Sequence, residues 1–181
     1  MKRKQFADDL QEKIEHFHQA FDRQQELLSA VLRAHLMVEE RLHDVISAGV
    51  ADYTRPIEKN DIFSFGTALE IAKSIIGSKA NPDLWAAIKE LNNLRNAMSH
   101  RHKPKRLDKL LEAFFKKSEI VARWVYKEVP SYDHYPEKDA LHAIVIRTRT
   151  MAIWALLGMY ADDLSKDLDK ILEPRRTRQS K

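Results

Sequence analysis

The chain has 181 residues, of which 44 % are hydrophobic and 32 % charged, with a formal net charge of +4. That mixture fits one domain with a buried core and argues against global disorder. There is no cysteine, which excludes disulfides, thiolate metal sites and a cysteine nucleophile and suits a reducing compartment. The 4 glycines and 6 prolines are too few for the tight turns of a β-rich fold, so the expected class is all-α. A sequence pI of about 9.2 is a mild basic bias, compatible with an anionic partner such as RNA without requiring one. The start, MKRKQFADDLQEKIEHF, has no apolar run of the signal-peptide kind. Residues 151–161 are the most apolar stretch, too short to span a bilayer. The expected localisation is cytoplasmic, away from membranes.

Glycines and prolines punctuate the chain into helices. The first 48 residues have neither and are expected to form two helices, or one bent helix, turning near residues 22–25. In the second half Leu28, Val31, Leu32, His35, Leu42 and Ile46 recur at helical spacing. A loop over 49–60 follows. The next helix is expected over 61–76, burying Phe65, Leu69, Ala72 and Ile76 and capped by Gly77. Another starts at Asn81-Pro82-Asp83, where an N-cap, a first-turn proline and an acid at the positive end of the dipole coincide. It should reach Met98 or Ser99. A helix over 105–129 carries Leu107, Leu110, Leu111, Phe114, Val121, Trp124 and Val125 on its apolar positions. The loop PSYDHYPE precedes a last helix over 139–172, with a possible break near Asp162. Together these predict an up-and-down bundle of about five to six helices in one domain, 1–174, with a basic flexible tail over 175–181.

Polar residues on apolar stripes are informative, because burying them costs free energy unless they are paired. In the helix that starts at Pro82 the stripe runs Leu84, Ile88, Leu91, Arg95, Met98. Arg95 lies about 20° from Leu84 around the helix, so it needs a carboxylate, a subunit or a ligand. Asn92, Asn96 and Ser99 flank it, and His100 follows at the expected helix end. His35 and Glu39 interrupt the stripe of an earlier helix, one turn apart. Opposite charge on two apolar stripes predicts that Glu39 faces Arg95 and fixes its guanidinium, either in a site or as a buried structural pair.

The segment RNAMSH, Arg95 to His100, has the form R-N-x-x-x-H. This resembles the signature of the HEPN superfamily, an all-α group in which an arginine and a histidine four to six residues later form a metal-independent endoribonuclease site, usually completed across a dimer. The polar residue that often follows the arginine is Asn96 here. The helix order and the long last helix also resemble the mannitol operon repressor-like proteins, which are described as regulators. One toxin subset has a tyrosine two residues after the histidine; this chain has His102, so nucleotide transfer to such a tyrosine is not implied. The resemblance implies catalytic roles for Arg95, His100, Asn96 and Ser99, no cofactor and no metal. Its expected partners are RNA, a second copy of the chain, and an antitoxin or regulatory protein. His100 would act as base or acid and Arg95 would hold phosphate oxygens. Asn96 or Ser99 would orient the histidine. Glu39 and His35 would support the site, and His102 is an alternative second histidine. Arg101, Lys103, Lys105 and Arg106 would hold the RNA backbone. The alternative is a non-catalytic interaction or regulatory module in which His100 merely caps a helix end.

The remaining features point to structure. His16 and His18 are two apart and diverge on a helix, making a poor metal pair. His43, His134 and His142 lack an evident partner. Trp85, Trp124 and Trp154 are expected in the core or at an interface rather than stacked on bases. Arg175, Arg176 and Arg178 form a solvated basic tail that can touch RNA.

Overall fold

The computed structural model describes residues 27–50, 64–100, 106–126 and 138–179, with the backbone alone for 100, 138–140 and 171–179. The expected turn near 22–25, the loops over 51–60 and 130–137, and His16, His18 and His134 lie outside these residues. The fold is an all-α helical bundle. Among the described residues five α-helices follow in order: α1 (Leu27–Gly49), α2 (Phe65–Ile76), α3 (Pro82–His100), α4 (Leu107–Val125) and α5 (Lys138–Gln179). A short 3-10 turn, Gly77–Lys79, links α2 to α3. No described helix is long and apolar enough to cross a membrane.

Local chemistry sets the helix ends. Ser64 caps α2, its Oγ accepting from the Thr67 amide at 3.2 Å, so the helix starts at Phe65. Gly77 ends α2 with φ +62°, a conformation costly for other residues, and its N–H donates to the Lys73 carbonyl. Asn81 Oδ1 accepts from the Asp83 amide at 2.8 Å, Pro82 opens α3, and Asp83 sits in its first turn. Gly77 and the Asn81-Pro82-Asp83 start follow the sequence expectation, whereas α2 begins at Phe65 rather than at 61, because Ser64 caps it. Helix α4 is shorter than expected: Tyr126 is extended, so the helix stops at Val125 rather than near 129.

Helix α5 is longer than expected. It runs 42 residues without a break at Asp162 and continues past Leu172 to Gln179. Around Asp162 the helix is supported by side-chain pairs three residues apart: Lys166 with Asp163 at 3.6 Å and Lys170 with Asp167 at 3.1 Å. At Pro174 the helix continues without the hydrogen bond a proline nitrogen cannot donate. The backbone of 175–179 is therefore helical.

One core joins all five helices. Leu42 and Ile46 of α1, Ala72 of α2, Leu84, Ile88, Leu91 and Leu94 of α3, Leu111 and Phe114 of α4, and Ile146, Ile153 and Leu157 of α5 are buried within it. On α2 the four expected residues, Phe65, Leu69, Ala72 and Ile76, are all inside. Helices α1 and α2 run in the same direction, since His35 stacks on Phe65 while Gly49 meets Ile75. Asp83 at the start of α3 pairs with Lys117 in the second half of α4 at 3.3 Å. The end of α2 meets the distal half of α5, where Tyr160 donates to the Lys79 carbonyl at 3.3 Å and Lys79 pairs with Asp167 at 3.6 Å.

Two departures from the expected core concern charge and aromaticity. Arg41 of α1 is buried, its guanidinium 3.8 Å from the Trp154 ring centre and its Nη1 donating to Asp44 at 2.7 Å. Ring face and carboxylate together offset part of the desolvation cost. Trp124, expected in the core or at an interface, lies outside the core at 66 % exposed, whereas Trp85 and Trp154 are buried within it.

Gly158 lies beneath Arg41. A Cβ there would meet the Arg41 Cζ at 3.5 Å, an ordinary contact. Glycine weakens a helix interior by about 0.5–1 kcal/mol relative to alanine. Gly158→Ala should therefore raise the unfolding free energy by about that amount in urea titrations. A loss of stability would mean that the arginine has no room to accept a methyl group.

Candidate functional site

The C-terminal half of α3 carries a polar seam. Asn92, Arg95, Asn96 and Ser99 follow at steps of three, one and three residues, which places them along one side of the helix. Arg95 is half-buried, while Asn96 and Ser99 are exposed. Arg95 Nη1 donates to Asn96 Oδ1 at 3.0 Å, and Ser99 Oγ donates to the Asn96 carbonyl at 3.0 Å. Asn96 thus joins both neighbours, one through its side chain and one through its backbone. The α3 backbone includes His100, directly after Ser99.

The inner end of the seam meets α1. His35 is buried and stacks on the Phe65 ring, with centroids 4.1 Å apart. His35 Nε2 lies 3.1 Å from Asn92 Oδ1. An amide oxygen only accepts, so the geometry assigns the proton of neutral His35 to Nε2. Nδ1 then faces Glu39 Oε2 at 4.0 Å. Burial depresses the His35 pKa below its ordinary 6.5, and nearby Arg95 pushes the same way; the Asn92 hydrogen bond and Glu39 oppose them without prevailing.

The direct pairing of Glu39 with Arg95 is not formed: among the described residues no ion pair joins them. Glu39 approaches His35 instead, and Arg95 turns to Asn96. Both charges nonetheless act on the same imidazole. The physical reason lies in α1 itself, where His35 and Glu39 are one turn apart and the histidine occupies the inward position.

The other expected site residues divide by position. Arg106 is exposed immediately before α4, and its carbonyl accepts from the Leu110 amide at 3.1 Å. Arg101, His102, Lys103 and Lys105 lie outside the described residues. Of the histidines read as structural, His43 is buried in α1, and the His142 ring sits 5.5 Å from that of Phe115. Among the described residues no group of three or more acidic or histidine side chains is arranged to hold a metal ion.

Sequence reasoning placed Asn92 beside Arg95 but did not join it to His35. It also missed Arg149, which is buried in α5 with Glu119 3.8 Å away. The available signal was a polar residue in register with apolar neighbours: Asn92 four residues after Ile88, and Arg149 three after Ile146. No protein-family model, curated protein or solved structure matches the chain.

A histidine held neutral by burial makes stability depend on pH. The folded state binds a proton less readily than the unfolded state, so protonation favours unfolding. This contribution is complete above the ordinary pKa of 6.5 and declines as the pH falls through the lower folded-state value. Thermal melts from about pH 7.5 to about pH 5 should show a falling Tm, and His35→Gln should have a shallower decline. Identical slopes for the two proteins would assign the acid sensitivity to other groups.

Proposed function

We propose that this chain is a metal-independent endoribonuclease of HEPN type, acting as a homodimer in a toxin, phage-defence or stress role in the cytoplasm. The observation that carries the reading is the polar seam. Arg95, Asn96 and Ser99 lie on one side of the last turns of α3, exposed at Asn96 and Ser99, directly before His100. A purely structural arginine would be expected to sit in a full ion pair, whereas Arg95 donates to a neutral, exposed amide.

The chemistry follows from the residue types. The 2′-hydroxyl of RNA attacks the adjacent phosphorus, the O2′–P bond forms and the P–O5′ bond breaks. The products are a 2′,3′-cyclic phosphate and a 5′-hydroxyl. One His100 takes the 2′ proton and a second, from the partner copy, protonates the leaving 5′ oxygen. The Arg95 guanidinium holds the non-bridging oxygens as charge builds on the phosphorane. Asn96 positions that guanidinium through its 3.0 Å contact. Arg106 and the preceding basic residues Arg101, Lys103 and Lys105 attract the strand. No cofactor or metal enters these steps.

A second reading is a regulatory interaction module similar to the mannitol operon repressor-like proteins, with an antitoxin or other protein as its partner. Its support is the apolar exposure elsewhere: Leu36 is 60 % exposed and Met159 53 %.

The test is RNA cleavage in EDTA on a denaturing gel, with wild type beside His100→Ala and Arg95→Ala. Cleavage by wild type with cyclic-phosphate ends, reduced at least about 100-fold in each variant, is the expected outcome. No cleavage of tRNA, mRNA or total RNA moves the conclusion to the interaction module. Equal cleavage by all three proteins would place the activity outside these residues.

A further inference from the structure

Two opposite charges act on one buried imidazole. His35 is 4 % exposed, with the Phe65 ring of α2 stacked against it. From α3, Asn92 Oδ1 meets Nε2 and Arg95 acts on the ring through its charge. From α1 itself, the Glu39 carboxylate stands 4.0 Å from Nδ1. Among the described residues, Glu39 and Arg95 are the charged groups that act on the ring, and α2 contributes only Phe65. In the neutral ring Nδ1 has no proton, so its lone pair faces the carboxylate. Arg95 is in no ion pair among the described residues, and its Nη1 donates to the neutral amide of Asn96. The end of the seam beyond it, Asn96 and Ser99, is exposed.

We propose that His35 is a proton-operated regulator of Arg95: protonated at Nδ1, it draws in Glu39 and drives the Arg95 guanidinium outward along the seam to meet phosphate. This rests on the RNA reading of the α3 motif and names how that same site is regulated. The proton comes from solvent, and the quarter-exposed Glu39 side chain gives it a route to Nδ1. It adds to the lone pair and no other covalent bond breaks. The new N–H forms a charge-assisted hydrogen bond once Glu39 closes in by about 1 Å. The contact with Asn92 survives, because both nitrogens of a protonated ring donate. Arg95 then faces a second cation while the nearby carboxylate is engaged, and a neutral amide holds it. Moving outward relieves that repulsion, and phosphate supplies the missing negative charge. Linkage makes the effect reciprocal: a proton on His35 tightens phosphate binding at Arg95, and phosphate there raises the proton affinity of His35. Burial holds the His35 pKa below its ordinary 6.5, so the change falls on the acid side of neutrality.

The test reads binding rather than cleavage. The probe is a fluorescein-labelled 2′-O-methyl RNA of about a dozen nucleotides, which lacks the attacking hydroxyl and stays intact. Full-length wild type, His35→Gln and Glu39→Gln are compared by anisotropy at about pH 7.5 and about pH 5.5, with circular dichroism checking the fold at both. Every other histidine is common to the three proteins, so the difference between them isolates His35.

On acidification the affinity of wild type should rise at least about threefold more than that of His35→Gln, equivalent to a coupling of about half a pH unit. Glu39→Gln leaves His35 in place but removes its acceptor, so the gain should move to lower pH. In imidazole 15N spectra of wild type, the neutral His35 ring should carry its proton on Nε2, and adding the probe should raise the pH at which it titrates. Equal gains in wild type and His35→Gln overturn the proposal, as does a chain that does not bind the probe at either pH. If His35→Gln does not fold, a Glu39→Gln profile identical to wild type overturns it instead. Cleavage by wild type with equal gains would keep the nuclease and remove the regulation. A histidine-dependent gain without cleavage would keep the proton-coupled phosphate site and remove the nuclease.

Discussion

The bundle depends on the packing of α1 against α5. Helix α5 is 42 residues long, and most of its buried surface is laid against the 23 residues of α1 and the 19 of α4. A helix of that length has no globular shape of its own and needs neighbours to bury its apolar side. Ala34, Val38, Leu42 and Val45 on α1 and Ala152, Ile153 and Leu157 on α5 contribute fully buried groups to the core. Amid them the Arg41 guanidinium lies over the Trp154 ring and beside Gly158. A charge at this position is retained only because a ring face and the Asp44 carboxylate replace some of the lost water.

The same helix fixes the polar seam. His35 is buried six residues before Arg41, between Phe65 of α2 and Asn92 of α3. Its contacts tie three helices together through one imidazole. Asn92 is thereby held at the inner end of the seam that leads to Arg95, Asn96 and Ser99. The outer end of that seam carries exposed polar groups that are free of any structural duty to the core. On the proposed reading, a buried inner anchor with an accessible outer face would hold a polyanion in register.

Helix α3 carries the residues of the proposed chemistry. In the sequence the basic residues 101–106 follow that motif directly, and the far end of α4 presents Trp124. The interaction-module reading would instead assign the exposed apolar residues to a protein partner, with the seam as a surface feature.

What the residues determined alone was local. Asn81-Pro82-Asp83, Gly77 and the Phe65, Leu69, Ala72, Ile76 stripe reappear as a cap, a terminus and a buried face, because each depends on groups within a turn of one another. The all-α class followed from the same short-range signals, and so did the polar character of the α3 seam. What only the tertiary structure decided was partnership and side. Glu39 and Arg95 were matched by charge, yet His35 and Asn92 make the contact between α1 and α3, since helix rotation and spacing choose which side chains meet. Trp124 and Val125 fit the apolar stripe of α4 by periodicity, but they stand at its last turn, where no described helix covers them. Arg41 is buried because Trp154, more than a hundred positions away in the chain, lies against it. Hydrophobic periodicity says which face turns inward; it carries no information about what that face will find there.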